Sequence, residues 1–316
     1  MRRFVNVFFA GFAGLLTILT FSGFLGSHHW FLDITASFRI QYTAGLLLLA
    51  LAGLIGLQRR IHVAWLLPAL LVNALLLGPF FLPLARAADP PTDPLRVLTS
   101  NILAYNQTLQ AVIDYLRVAD ADIILLSEIQ PEMLVQVTQA LSEQYPYLHD
   151  AAQQGTFGIA LFSRYPLRTA QTHRLGINRH PSIQATIAWQ ERQITLYGAH
   201  PFPPLGADGT FRRDSELAAI QALIAQETGP VIFLGDLNAT PWSASMRQLV
   251  NTTDLRYAAH GYGIRPTFPT WGYGSLLVGV PLDHVLVSPE WQVTAYRLGP
   301  DVGSDHYPVL ADLVLP

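Results

Sequence analysis

Hydrophobic residues follow one another almost without interruption in three stretches near the beginning of the chain. The first covers residues 4–25, the second residues 40–57, and the third residues 63–84, which contain three prolines. A helix rises about 1.5 Å per residue, so about 20 apolar residues cross the hydrocarbon core of a bilayer. The pattern predicts three transmembrane helices, and the second reaches spanning length only when Ile40 and Gln41 are included.

The arginines that flank these stretches predict an orientation in the membrane. Short loops rich in arginine remain in the cytoplasm, so Arg2, Arg3, Arg59 and Arg60 place the N-terminus and the second loop inside. The loop at residues 26–39, and everything after the third helix, would then lie outside the cytoplasm. The basic N-terminus also fits a cleaved signal peptide, but the two further hydrophobic stretches favour a retained helix.

The composition changes after the third hydrophobic stretch. Residues 87–94 contain three prolines, which favour an extended and semi-rigid segment that rises about 3.1 Å per residue. We therefore expect a membrane region at residues 1–86, a linker at residues 87–94, and a second domain at residues 95–316. A linker of this length would keep the second domain close to the bilayer surface.

In the second domain, short apolar runs alternate with amphipathic stretches. The runs predict strands at residues 96–100, 122–126, 158–162, 183–189, 194–197, 231–234, 285–287 and 309–313. The amphipathic stretches predict helices at residues 109–118, 213–227 and 243–250. Four residues separate the fourth strand from the fifth, which indicates an antiparallel hairpin. The expected fold class is therefore α/β with mixed sheets, and a domain of this length can bury one full core.

Charge and composition exclude several kinds of chemistry. The chain has 316 residues, of which 51% are hydrophobic and 13% charged, and its formal net charge is −3. The second domain carries most of the acids, which disfavours binding that depends on covering nucleic-acid phosphates, although a nuclease remains possible. The absence of cysteine excludes disulfides and thiolate metal sites. All basic side chains except histidine are arginine, which excludes a catalytic or phosphate-binding lysine.

Polar side chains with catalytic potential stand where the predicted strands begin or end. They are Asn101, Glu128, His200, Asp236 with Asn238, Asp283 with His284, and Asp305 with His306. A single residue of this kind could cap a helix or close a turn, but six successive occurrences need another explanation. Carboxylate and amide ligands suit Mg²⁺ or Mn²⁺ better than a structural zinc. Histidines beside carboxylates supply acid–base groups.

Each of these residues also has a purely structural interpretation. Glu128 fits the first turn of a helix, and Asp236 with Asn238 fits a turn before a proline. We expect His284 to pack structurally and Arg213 to lie at a solvated helix start. The ordered succession of the motifs favours the functional interpretation for the carboxylates.

The motifs resemble those of the endonuclease/exonuclease/phosphatase superfamily, which includes DNase I-like nucleases, inositol-phosphate phosphatases and neutral sphingomyelinases. The similar segments are TSNILAYN, DIILLSEIQPE, FGIALFSRYP, YGAHPFPP, FLGDLNATPWS, PLDHVLVS and GSDHYPVLADL, in the order of the family. The resemblance implies a four-layer α/β-sandwich of the DNase I-like type, here preceded by the predicted transmembrane region. Two positions depart from the family pattern, Ser127 before the metal-binding glutamate and Ala199 before the central histidine.

The resemblance also implies roles for individual residues. The implied metal ligands, for Mg²⁺ or Mn²⁺, are Glu128 as the principal carboxylate with Asn101 and Asp305. The implied catalytic residues are His200, Asp236, Asn238, Asp283 and His306. Asp236 would align or deprotonate the attacking water, and Asn238 would donate to a phosphate oxygen. His306 would pair with Asp283, and His200 would contact the phosphoryl group.

We therefore expect a membrane-anchored, metal-dependent phosphoesterase with its active site outside the cytoplasm. In layout it is similar to bacterial members of the superfamily that reside in the inner membrane. Its expected partners are the lipid bilayer and a phosphorylated substrate, including lipid-linked phosphates. An extracytoplasmic nuclease is an alternative that the acidic domain disfavours. A catalytically inactive membrane sensor is a third, and the intact set of polar residues argues against it.

Overall fold

The computed structural model describes residues 2–55, 64–82 and 93–316. Arg59 and Arg60, on which part of the predicted orientation depends, lie outside the described residues. The same is true of most of the predicted linker at residues 87–94.

Three apolar helices of the N-terminal region pack against one another. They are α1 (Arg2–Ser22), α3 (Arg39–Ile55) and α4 (Leu67–Phe81). By length and composition, the segments Val7–Leu25 and Trp30–Leu54 are long and apolar enough to cross a membrane. Helix α4 is shorter than the span predicted at residues 63–84. It has Pro68 in its first turn, where a missing N–H costs nothing, and it ends before the extended backbone of Leu82.

Buried polar side chains connect the three helices. The Arg39 guanidinium donates to the Thr20 carbonyl at 3.2 Å and to Asn73 Oδ1 at 3.3 Å, and Asn73 Nδ2 donates to Thr20 Oγ1 at 3.1 Å. In an apolar surrounding such side-chain bonds hold helices together. They therefore fix the packing of α1, α3 and α4.

The connection predicted between the first two membrane helices, residues 26–39, is mostly helical. It contains α2 (Trp30–Thr35), followed by a 3₁₀ turn at Ala36–Phe38. His29 caps α2, because its Nδ1 accepts a hydrogen bond from the Phe31 backbone N–H. A helix of six residues is too short to show a hydrophobic periodicity.

Twelve strands form two six-stranded sheets in the part of the domain after residue 93. The first sheet contains β1 (Leu95–Asn101), β2 (Ile123–Ser127), β3 (Tyr147–Ala151), β4 (Ile159–Ser163), β11 (Gln292–Leu298) and β12 (Val309–Val314). The second contains β5 (Leu167–Leu175), β6 (His180–Trp189), β7 (Arg192–Ala199), β8 (Val231–Asp236), β9 (Arg256–Tyr257) and β10 (Asp283–Val287). Their orders are β11-β12-β1-β2-β4-β3 and β5-β6-β7-β8-β10-β9.

Only two strand pairs in these sheets are parallel. They are β1 with β2 and β7 with β8, and the other pairs are antiparallel. The antiparallel hairpin of β6 and β7 and the mixed character of the sheets confirm the sequence prediction.

Helices cover the outer face of each sheet. The helices are α5 (Leu109–Ala119), α6 (Pro131–Leu141), α7 (Gly206–Ile224) and α8 (Ala244–Thr253). A short α9 (Ser275–Val278) lies in an exposed loop. Residues of α5 and α6 share a buried cluster with Leu98 and Ile124 of the first sheet. A second cluster contains inner residues of both sheets, such as Val97 and Leu234, together with Leu217 of α7. Two packed sheets between helices confirm the predicted four-layer α/β-sandwich.

Four strands and two helices of this domain were absent from the sequence prediction. They are β3, β5, β9, β11, α6 and α9. Strand β5 lies at the edge of its sheet, and its buried and exposed positions do not alternate regularly. Its sequence therefore lacks the period of two that predicts a strand. Helix α7 begins at Gly206, several residues before the predicted start at 213.

A buried ion pair joins the N-terminal region to the second domain. Asp33 of α2 accepts a 2.7 Å hydrogen bond from Arg213 of α7, and both side chains are 2% exposed. The other oxygen of Asp33 accepts from the backbone N–H of Ala244, at the start of α8. Arg213 is therefore buried at this junction, and the expectation of a solvated helix start is wrong.

The end of α4 makes a second contact with the domain. Gly261 and Gly263 donate their backbone N–H groups to the carbonyls of Pro79 and Phe80, at 3.0 and 2.6 Å. The Phe80 ring packs edge-on against Trp242, with 5.9 Å between ring centroids. The helices and the sandwich are thus in direct contact.

The junction gives a test of stability. We expect Arg213→Met to lower the free energy of unfolding by about 3–5 kcal/mol, because it leaves the buried Asp33 carboxylate without its counter-ion. The measurement is denaturant unfolding of the full chain in detergent, followed by tryptophan fluorescence.

Arg212→Met is the matched control for this test. Arg212 is partly exposed and pairs with the exposed Asp208, and such pairs contribute about 0–1 kcal/mol. Equal losses in the two variants would show that the buried pair has no special weight.

Candidate active site

The sheet topology brings the predicted site residues to one edge of the sandwich. Strands β1, β2, β7 and β8 end at this edge, whereas β10 and β12 begin there, since Asp283 pairs with Asp236 and Val309 with Thr99. Side chains alternate along a strand. Asn101 therefore lies on the inner face of β1, like Val97. In the same way, Asp236 lies on the inner face of β8 and Asp283 on the inner face of β10. The side chains meet between the two sheets.

Gly235 permits the close approach of β8 to β7 beside this site. Its backbone has φ 148°, and a Cβ atom there would lie 2.0 Å from the Ala199 carbonyl oxygen. Such a distance is far inside van der Waals contact, so only glycine fits. The residue before Asp236 is thus fixed by the space between two strands.

Asn101 connects the carboxylates of the two sheets. Its Nδ2 donates to Glu128 Oε1 and to Asp236 Oδ2, both at 3.0 Å, while its Oδ1 accepts from the Leu103 N–H. The side chain is 1% exposed. One buried amide therefore separates two negative charges and fixes the distance between them.

Glu128 stands at the open side of the site. Its second oxygen, Oε2, accepts from the backbone N–H of Ala104 at 2.9 Å. Glu128 has a left-handed backbone with φ 63°, which is uncommon for a residue other than glycine and often marks functional positions. The residue is half-buried, as is Asp305, whose neighbours Ser304 and His306 contact Asn101 and Asp236. Each carboxylate oxygen retains a free lone pair that can bind a cation.

Asp236 is buried between two imidazoles. His200 Nε2 lies 3.4 Å and His306 Nε2 lies 3.6 Å from Asp236 Oδ2. Burial alone would raise the pKa of Asp236, but the charges of His306 and His200 lower it well below its usual range. For His200, burial alone would lower the pKa, and the contact with Asp236 raises it. The contact therefore favours the ionised form of Asp236 and the protonated form of His200.

His306 and Asp283 form a short hydrogen bond. Their atoms Nδ1 and Oδ2 are 2.7 Å apart, and Asp283 is fully buried. Burial would lower the pKa of His306, but the negative charges of Asp283 and Asp236 outweigh it and raise the pKa to about 10. The predicted pairing of these two residues thus exists in the structure, and Nε2 of His306 faces Asp236.

Both the backbone and the side chain of Asn238 are hydrogen-bonded to neighbouring residues. Its backbone N–H donates to Asp236 Oδ1 at 3.0 Å, and its side-chain Nδ2 donates to the Pro201 carbonyl at 3.0 Å. A primary amide has a second N–H, which remains available for the predicted phosphate contact. The backbone carbonyl oxygen of Asn238 accepts a hydrogen bond from the buried Arg213 guanidinium at 3.4 Å.

His284 lies beside the site without taking part in it. Its Nε2 is 2.8 Å from the Ala239 carbonyl, and its side chain is buried on the outer face of the sheet. Burial lowers the pKa of His284, so the ring is neutral. This geometry agrees with the expected structural role.

Three residues near the site escaped the sequence analysis. Ser304 donates to the Asn101 carbonyl at 2.7 Å and accepts from the His306 N–H, while Thr267 accepts from the Asp283 N–H. Phe157 lies 5.7 Å from the His200 ring, measured between centroids. Ser304 and Phe157 lie within similar motifs and could have been noticed there, whereas Thr267 lies in a segment with no recognisable motif.

Two groups of residues could hold a divalent cation. Asp236, Asp283 and His306 each offer one ligand atom within 4.8 Å of the others. His306 already donates to Asp283 and faces Asp236, so this group suits a proton better than a metal ion. Glu128 and Asp305 are half-buried, and among the described residues no arginine forms an ion pair with either. These oxygen donors fit Mg²⁺ or Mn²⁺, with Asn101 beside them.

The chain belongs to the endonuclease/exonuclease/phosphatase family, because the family model matches residues 98–306, which is more than half of the chain. Enzymes of this family hydrolyse phosphoric esters. The fold and the motif order had led to the same class.

The similarity of the chain to individual proteins of known sequence or structure is low. The chain is 32% identical over 111 residues to UPF0294 protein VP2298 of Vibrio parahaemolyticus, a match that covers 34% of this chain and only 36% of that protein. Among solved structures, an endonuclease/exonuclease/phosphatase family protein from Bacteroides thetaiotaomicron has a TM-score of 0.58 at 18% identity, over 72% of this chain and 99% of its own. Sphingomyelinase C from Streptomyces griseocarneus has a TM-score of 0.53 at 19% identity, over 70% and 99%. Both structural likenesses show the shared fold.

The assignment of the cation to Glu128 gives a direct binding test. We expect Glu128→Gln to weaken Mn²⁺ binding by at least tenfold, since even the loss of an outer partner costs about 10–100-fold in metal affinity. Free Mn²⁺ is measured by electron paramagnetic resonance during titration of the full chain.

Glu132→Gln serves as the matched control for the Mn²⁺ titration. Glu132 is exposed in the first turn of α6, so its loss should leave the affinity unchanged. If Glu128→Gln binds Mn²⁺ like the unaltered protein, the metal does not use this carboxylate.

Proposed function

We propose that this protein is a membrane-anchored, metal-dependent phosphoesterase that hydrolyses phosphorylated lipids at a bilayer surface outside the cytoplasm. The observation that carries the proposal is the buried Asp236, held between two imidazoles and one bridging amide next to the open carboxylate of Glu128. Such a site can bind a phosphate ester, polarise it and direct water at phosphorus.

The side chains divide the chemistry among them. A divalent cation bound by Glu128 and Asp305 would neutralise charge on the phosphoryl oxygens and the leaving group. Asp236 accepts hydrogen bonds and orients an attacking water molecule. His306, kept protonated by Asp283, and His200 face the same carboxylate and can donate to phosphoryl oxygens as negative charge develops. The reaction needs no covalent intermediate.

The N-terminal region supports a location at the membrane. Two of its segments are long and apolar enough to cross a bilayer, and large apolar side chains remain exposed along them, including Val7, Ile18 and Leu48. A water-soluble protein rarely exposes so continuous an apolar surface. Direct contact between these helices and the sandwich would hold the active site near lipid headgroups.

The same residues would also suit an extracytoplasmic nuclease. A nuclease gains affinity from basic side chains along the phosphate backbone, and Arg213 near the site is already occupied by Asp33. The lipid-phosphate interpretation is therefore preferred. A catalytically inactive sensor would have no need of the complete set of interacting acids and imidazoles.

An activity panel tests the proposed function. The full chain in detergent micelles is incubated with Mg²⁺ and phosphorylated lipids, lipid pyrophosphates, nucleotides or DNA, and phosphate release and strand cleavage are followed separately. We expect phosphate release from the lipid substrates. Asp236→Asn should reduce kcat by about 10²–10⁴-fold, the usual loss for an acid–base partner.

Asp254→Asn is the matched control for this substitution. Asp254 is exposed at the end of α8 with φ 55°, a conformation that asparagine also adopts readily. Strand cleavage without lipid hydrolysis would favour the nuclease, and no Mg²⁺-dependent product from any substrate would favour the sensor.

The orientation is tested by reporter fusions. Because Arg2, Arg3, Arg59 and Arg60 should remain in the cytoplasm, an extracytoplasmic reporter attached after residue 95 should be active. The same reporter after residue 60 is the control and should be silent. The reverse pattern would place the active site in the cytoplasm and admit soluble nucleotides as substrates.

A further inference from the structure

A long loop beside the active site carries no charge and exposes large apolar side chains. Residues 266–282 contain no Asp, Glu, Arg or Lys. Within this loop Trp271 is 68% exposed, Tyr273 92% and Leu277 74%. Surface loops that face water are normally rich in charge. This uncharged loop, residues 266–282, therefore has the composition of a surface that contacts something apolar.

The uncharged loop keeps its shape without burying those side chains. Ser275 Oγ donates to the Pro269 carbonyl at 2.5 Å and accepts from the Trp271 N–H at 2.8 Å. Gly274 donates its N–H to the Trp271 carbonyl at 3.0 Å. The turn is thus held by polar bonds within the loop, and the apolar side chains project from a formed structure.

One end of the loop is attached to the active site. Thr270 donates its backbone N–H to the Asp305 carbonyl at 3.1 Å and its hydroxyl to the Ser304 carbonyl at 2.6 Å. The Phe268 ring lies 4.8 Å from the His306 ring, measured between centroids. The loop therefore borders the residues assigned to metal binding and acid–base chemistry.

The other end of the loop is attached to an apolar helix. Gln41, in the first turn of α3, donates from Nε2 to the Gly279 carbonyl at 3.1 Å. The segment just before the loop is fastened to the end of α4, through the bonds from Gly261 and Gly263. The loop thus lies where α3 begins and α4 ends, at the end of the helices nearest the catalytic domain.

We propose that the uncharged loop inserts its apolar side chains into the interfacial layer of the same bilayer that α1 and α3 cross. This proposal rests on the proposed function, because it requires those helices to be in a membrane. Tryptophan and tyrosine favour the boundary between headgroups and hydrocarbon, and an uncharged turn enters it without burying a charge. Insertion would bring Asp305 and His306 to headgroup depth, where the phosphate of a lipid lies.

Single-cysteine labelling tests this insertion without requiring turnover. The chain has no cysteine, so each introduced one reacts alone with an environment-sensitive dye. The full-length variants Tyr273→Cys, Leu48→Cys and Val118→Cys are reconstituted in vesicles of phosphatidylcholine and phosphatidylglycerol. Dye emission and its quenching by spin-labelled lipids are then measured.

The three positions separate the two proposals. Leu48 faces outward from α3 and Val118 is exposed on α5, so the dye should be quenched at Leu48 and unaffected at Val118. We expect the dye at Tyr273 to shift to shorter wavelength and to be quenched at least twofold. Quenching at Leu48 without quenching at Tyr273 would overturn the loop insertion alone. An unquenched dye at Leu48 would overturn the membrane anchoring and the loop proposal with it.

A second copy of the chain is the other candidate occupant of the loop surface. If the loop mediated dimerisation, the unlabelled Tyr273→Cys protein would form a disulfide-linked dimer under mild oxidation, and the dye on the labelled protein would be shielded from spin-labelled lipids. That result would overturn the insertion. A monomeric Tyr273→Cys protein with lipid-dependent quenching would support it.

Discussion

The negative charge of Asp236, buried between the two sheets, is the constraint around which the site is organised. A buried carboxylate without a partner costs several kcal/mol, and no arginine forms an ion pair with Asp236 among the described residues. Its compensation comes from the imidazoles of His200 and His306 and from the amide of Asn101. Asp283 and Asp236 together stabilise the protonated form of His306, which supplies the positive charge.

This arrangement depends on strand register. Asp236 and Asp283 are directly paired in neighbouring strands, and this pairing brings the two carboxylates close together. Their mutual repulsion must therefore be compensated. His306 contacts both, so the last loop of the chain resolves the repulsion created by the second sheet. Ser304 fixes that loop to Asn101 in the first sheet. A slip of one residue in β8 or β10 would turn these side chains to the outer face.

Much of the fold and the set of site residues could be predicted from the sequence. The inner strands are short apolar runs, and the polar residues at their ends follow them directly, so the local signal is strong for Asn101, Glu128 and Asp236. The edge strand β5 lacked such a signal because its burial pattern is irregular. The roles of these residues remain predictions that the proposed measurements can decide.

Other features could not be predicted because they depend on contacts between distant parts of the chain. Asp33 and Arg213 are 180 residues apart, and each looks like an ordinary surface charge in its own segment. Helix α2 is only six residues long, and isolated helices of that length are unstable. It exists here because Asp33 is fixed by Arg213 and by the N-terminus of α8.

The same junction shows that the N-terminal region is part of the enzyme's structure and does more than tether it. Arg213 contacts Asp33 on one side and the carbonyl of Asn238 on the other, and the Asn238 N–H in turn holds Asp236. These contacts connect α2 to Asp236 through Arg213 and Asn238. They fix the distance between the N-terminal helices and the Asp236 carboxylate. If α1 and α3 cross a membrane, the geometry that stabilises Asp236 also sets the height at which a phosphate group must be presented.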